Sequence, residues 1–297
     1  MFKRFSYFIL FFILLSGCEK SISFTPDNAD PLVVVEATIE NGLAPIVILS
    51  HSVNYFSEIT PDILANSFIH NAEIDISNGT LTHKLKEYKV IRSVSGYDLY
   101  YYSIDSANLS TAFVGEFSRT YNLKIITGGK EYSSTTTIPA LAKKMDSLWW
   151  EKPTGSVDTT IFARVMARVT DPPGYGNYIR YFTSRNKEPF WPGLNSSFDD
   201  QIVDGTTYNV QVDQGVNRNE EFDEETYALF NRGDTVTVKH CNIDKATYDF
   251  FRTLEYSYAS IGNPFSSPTK VLTNIKGGGL GYFGGYAAEY ISLIIPR

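Results

Sequence analysis

Leu32-Val-Val-Val-Glu-Ala-Thr-Ile39, followed by Glu40-Asn-Gly42 and Ile46-Val-Ile-Leu49, is the stretch on which the fold turns. Two runs rich in β-branched residues on either side of Asn-Gly predict a β-hairpin, because Asn-Gly supplies the positive backbone angles of a type I′ turn. The signature recurs downstream. Residues 72–77 close on Asn78-Gly79 and lead into 80–85, residues 97–103 follow, and 121–126 and 131–138 flank Gly128-Gly129. About seven short strands with turn signals at near-regular spacing predict an immunoglobulin-like β-sandwich over residues 32–140.

A break at residues 139–144 opens a second β-rich domain, 141–297, so the expected fold class is all-β. Ile161-Phe-Ala-Arg-Val-Met-Ala-Arg-Val169 alternates as a strand with one wet face. Residues 178–184 and 235–240 read the same way. One helix is expected near 245–260, with Asp244 as its N-cap, an apolar stripe of Phe250, Phe251, Leu254 and Tyr258, and a stop at Gly262-Asn263-Pro264. The polar stretch 186–233 reads either as a loop that carries function or as an elaboration around short strands.

The N-terminus is an address. Lys3 and Arg4 precede an apolar run from Phe5 to Leu15, too short to span a bilayer, where about 20 residues are needed. The run ends in Leu15-Ser16-Gly17-Cys18, the form of a bacterial lipobox, so residues 1–17 read as a lipoprotein signal peptide and Cys18 as the lipidated residue. Acyl chains on Cys18, palmitate among them, would anchor the chain to the membrane. Residues 18–31 are a polar tether. Cleavage leaves 280 of the 297 residues and takes the formal net charge from −7 to −9. An acidic chain with no basic block is a poor match for nucleic acid. With Cys18 lipidated, Cys241 is the one remaining cysteine and reads as a buried, inert thiol.

Motifs that could carry chemistry are sparse. Gly279-Leu-Gly-Tyr-Phe-Gly284 matches a dinucleotide fingerprint in letters alone, since it lacks the strand–turn–helix setting that holds a pyrophosphate. The tract is better read as backbone packed closely beside aromatic rings. His51, His70, His83 and His240 have no metal-ligand spacing, and Asp199-Asp200 are neighbours that a strand would point to opposite faces. The acidic segment 213–225 offers oxygen ligands for calcium without the EF-hand spacing, and a solvated loop is the favoured reading. Trp149, Trp150 and Trp191 could stack on a ligand, although aromatics of β-sandwiches more often form core. No cofactor, no metal and no catalytic residue is implied.

Several segments, in this order along the chain, resemble an uncharacterised family of Bacteroidota outer-membrane lipoproteins, a domain of unknown function often encoded beside TonB-dependent receptors. They include Cys18-Glu-Lys20, Leu32-Val-Val-Val-Glu36, Asn177-Tyr178, Phe198-Asp-Asp200, Tyr248-Asp-Phe-Phe-Arg-Thr-Leu254, Thr273-Asn-Ile275 and Gly278 to Gly284. The resemblance implies location and company rather than mechanism. The expectation is a non-enzymatic accessory lipoprotein, lipid-anchored at the cell outer membrane and working with a TonB-dependent receptor in uptake. The alternative is a surface binder of carbohydrate or peptide.

Overall fold

The computed structural model describes residues 30–53, 59–91, 97–261, 263 and 269–297. The lipobox with Cys18, nearly all of the tether, and Gly262 and Pro264 of the expected helix stop lie outside the described residues.

β1 (Val33–Glu40) and β2 (Ile46–His51) form the expected antiparallel hairpin, but not through a two-residue turn. Thr38 pairs with Ile46, and Asn41 does not take a positive φ. The reason is a third strand. Asn41 Oδ1 accepts the Ala288 N–H at 2.6 Å, so the side chain is committed sideways to β15 (Leu280–Ile294). β15 runs parallel to β1, from Val34 opposite Leu280 to Glu40 opposite Tyr286. Gly128 and Gly129, with φ of 57° and 73°, do make the tight turn between β6 (Arg119–Thr127) and β7 (Lys130–Ile138).

A short helix not anticipated from the sequence, α1 (Pro61–Ser67), follows β2, capped by Thr60 Oγ1. β3 (Glu73–Ser77), β4 (Thr82–Val90) and β5 (Leu99–Ile104) complete the first sandwich. β4 pairs with β3 through residues 82–84 and with β5 through 85–90, so one strand turns the corner between the two layers. Inside lie Val35, Ile39, Leu49, Ile74, Ile76, Tyr121, Leu123 and Ile138, together with Phe283 of β15. Each is an inward position of a period-two pattern, and burying such a side chain stabilises the fold by roughly 1.5–3 kcal/mol.

The glycine tract is strand, not nucleotide loop. A Cβ on Gly281, whose φ is 93°, would sit 2.0 Å from the Val35 carbonyl oxygen, and one on Gly285 would sit 2.6 Å from that of Thr137 in β7. Bare backbone lets β15 lie between β1 and β7.

In the second half, β9 (Phe162–Thr170) is flanked by β8 (Lys144–Glu151) on one side and by β12 (Thr207–Val212) and the short β13 (Phe230–Asn231) on the other. This sheet faces β10 (Tyr178–Arg185), β14 (Thr235–Ile243) and the end of β15, with Val165, Ala167, Tyr181, Phe230, Val236 and Val238 between them. β11 (Trp191–Phe198) is the edge beyond β10, and Pro192 is tolerated there. The polar stretch 186–233 is therefore an elaboration around three short strands.

The expected helix is α2 (Lys245–Ala259), packed on the opposite face of β10 and β14. Asp244 caps it by accepting from Thr247 N at 2.9 Å, and its other oxygen accepts from Thr136 Oγ1 and Thr137 N of β7. Phe250 and Phe251 are buried as expected. Tyr258 is exposed, under the Arg218 guanidinium, and Glu255 takes the inward place instead, accepting from the Ser196 N–H and hydroxyl. Cys241 is a buried free thiol, pushed up to about 12 by burial.

By contact, Pro31–Arg297 is one compact unit. A single sheet of eleven strands runs through both halves because β15 pairs with β1 along its first half and with β14 along its second. The boundary near residue 140 thus divides cores, not sheets.

Candidate functional site

β14 alternates, placing Val236, Val238 and His240 on the face toward β8 and β9 and Cys241 and Ile243 on the face toward α2. The first two fill the core. His240 lines an open cleft of about 640 Å³ between the two sheets, walled by apolar residues of β9, β10 and β12 such as Val169, Ile179, Tyr181 and Val212. Its mouth is formed by Asp199, Ile202, Val203, Tyr248 and Arg252. A mostly apolar concavity with a few placed polar groups is the usual form of a small-ligand site.

Those polar groups are distinctive. His240 is 1% exposed, and its Nδ1 lies 3.1 Å from Glu289 Oε1. Burial opposes ionisation of Glu289, but hydrogen bonds from His240 and from the Met145 N–H outweigh it and hold the carboxyl below the ordinary glutamate value. A carboxylate accepts, so Nδ1 donates and Nε2 carries the lone pair in the neutral ring. That Nε2 is buried without a hydrogen-bond partner among the described residues. Asp213, on the same cleft, is raised above the ordinary aspartate value by burial, which its hydrogen bond from Gln211 Nε2 offsets in part. Burial, followed by the neighbouring Asp213 charge, also raises the Tyr181 phenol. Tyr248 is pushed up to about 12 by burial and by donating its hydroxyl to Asp199 Oδ2 at 3.0 Å.

Asp199 and Asp200 follow the end of β11: Asp199 lines the cleft, Asp200 is buried, and both border a second, smaller hollow with Tyr175 and Tyr178. Asp171, Asp200 and Asp204 approach within 4.8 Å of one another, the one carboxylate trio of this kind among the described residues. Lys143, fully buried, sets its ammonium 3.0 Å from Asp171 and supplies the positive charge. Asp200 accepts the Gly176 and Asn177 N–H groups and Asp204 that of Gly174, so the trio pins loops 171–177 and 200–206 beside the cleft. The acidic segment 213–225 forms no such trio, and Glu220, Glu221, Asp223, Glu224 and Glu225 are exposed.

The three tryptophans do not share a face. Trp150 packs into the second core with Arg232 over its ring, Trp149 points the other way and donates to Glu151, and Trp191 belongs to β11. A stacking platform from Trp149, Trp150 and Trp191 is therefore not built. The cleft residues His240 and Asp213, and Glu289 behind His240, were not picked out as a site from the sequence. The available signal was His240 at the third inward position of Thr235-Val-Thr-Val-Lys-His240, where an apolar residue is the norm.

Fold and cleft together define an all-β protein with an open cleft between its two sheets. The chain belongs to the family described as Domain of unknown function (DUF4249), whose model matches residues 19–291, starting one residue after Cys18. No curated protein matches the chain. No solved structure matches it either.

Proposed function

We propose that this is a non-enzymatic, ligand-binding accessory lipoprotein of the cell outer membrane, anchored through Cys18 and working with a TonB-dependent receptor in uptake. The cleft carries the reading: a preformed apolar concavity with a buried imidazole nitrogen left unpaired by the described residues. Polar groups buried without a partner cost about 1–3 kcal/mol, so such a nitrogen on a residue that lines a cleft is an invitation to a ligand. The lipobox, the polar tether and a family match beginning at residue 19 support the anchor. No helix among the described residues is long and apolar enough to cross a membrane, so Cys18 is the attachment this reading requires.

Two measurements test it. Cys18→Ala should move the protein from the membrane fraction to the soluble one. Affinity capture from native membranes should recover an outer-membrane barrel; repeated capture with none would remove the transporter from the proposal.

A further inference from the structure

The carboxylates that line the cleft are Asp199 and Asp213, beside the side chains of Asn195, Ser197 and Gln211. His240 Nδ1 is committed to Glu289, and its buried Nε2 has no hydrogen-bond partner among the described residues. Asp213 has one protein donor, Gln211, and no Lys, Arg or His within ion-pair distance among the described residues. A half-buried carboxylate with no counter-ion costs stability unless something else supplies the charge. The surrounding walls are aromatic: Tyr181 and Phe198 stack with centroids 6.2 Å apart, and Tyr208 and Tyr248 stand nearby. Aromatic faces attract cations and reject anions. At the mouth, Asp199 adds a further carboxylate. The exposed Arg252 is the cation that lines the cleft, and it lies at that entrance.

We propose that the cleft binds an organic ammonium with an apolar body, its N–H groups donating to Asp213 and its body lying against Val169, Val212 and the tyrosines. This rests on the reading of the cleft as a ligand site and names the class of ligand. The contrast with Asp171 beside the cleft supports it. Lys143 fills the same need for Asp171, whereas no described residue does so for Asp213.

Three probes with one body separate the possibilities: naphthylethylamine, naphthylethanol and naphthylpropionate, titrated into the full chain in detergent by calorimetry at neutral pH. The expected result is that the amine binds at least about tenfold more tightly than the alcohol and the acid, and that Asp213→Asn removes that preference. Val210→Trp, a filling change at a partly exposed wall position, should abolish binding of all three. Equal binding of the three probes, lost in Val210→Trp, would overturn the ammonium assignment and leave the cleft as a ligand site. Binding of none of them, or binding untouched by Val210→Trp, would overturn both. Asp213→Asn is checked for folding by its thermal melt, so that a loss of preference cannot be mistaken for unfolding.

Discussion

Each half of the molecule buries one histidine, and the two are finished differently. His83, in β4, is bonded at both ring nitrogens: Nδ1 to Thr111 Oγ1 at 2.9 Å and Nε2 from the Asp105 N–H at 3.0 Å. Its burial lowers the ring below the ordinary histidine value, and the Asp105 charge only partly opposes this. His240, which lines the cleft, is bonded at Nδ1 alone, and its buried Nε2 has no partner among the described residues. The first half is a closed core in which a polar ring is an internal fastening. The second half has the same kind of inward position, but there the residue lines an open cleft of about 640 Å³. A buried histidine alone thus signals nothing; the unmet nitrogen does.

The comparison can be broken most forcefully at Phe283. It is fully buried in the first core though it comes from the last strand, so Phe283→Ala should destabilise by about 3–5 kcal/mol in urea unfolding. Val210→Ala at the cleft wall should change stability by less than about 0.5 kcal/mol. Equal costs would mean that the second half is packed as tightly as the first.

Asp244→Ala should cost about 2–3 kcal/mol, because it removes the cap of α2 and strands the Thr137 N–H of β7 at once. A loss of only about 1 kcal/mol would mean that the cap alone matters. His83→Ala should destabilise more than His240→Ala, since it frees two buried partners rather than one.

Smaller effects follow from charge. Asp213 is raised by burial, so its contribution to stability is present below its unfolded value near 3.8 and is lost as pH rises through the folded value. Asp213→Asn should therefore melt higher than the parent at neutral pH, with the gap closing near pH 3.8 and below. Glu289 has the opposite sign. Its stabilising contribution is present above about pH 4.5 and is lost as pH falls through its depressed folded value, so Glu289→Gln should flatten the acid limb of the stability curve. A parent and Asp213→Asn that melt alike at neutral pH would show that Asp213 already has a counter-charge.

Much of the fold was legible locally. The strands of the first sandwich follow from period-two alternation, the Gly128-Gly129 turn from two positive φ angles, and the start of α2 from one carboxylate beside unpaired amides. Asn41-Gly42 shows where local reading stops. The residue type predicted a tight turn, but its amide was claimed by a strand almost 250 positions away. The strands β11 to β13 were hidden for a related reason: they are short edge or partly wet elements whose polar sequence suits a loop equally well.

What the sequence determined by itself is the all-β class and the helix with its cap. Each depends on the backbone preferences of neighbouring residues, which need no knowledge of distant partners. Only the tertiary structure decided that β15 joins β1 and β14 into one sheet, and that His240 and Asp213 line one cleft while Trp149, Trp150 and Trp191 do not. Those outcomes depend on strand order and register. A one-residue slip of β14 would have turned Cys241 toward the cleft and His240 toward the helix.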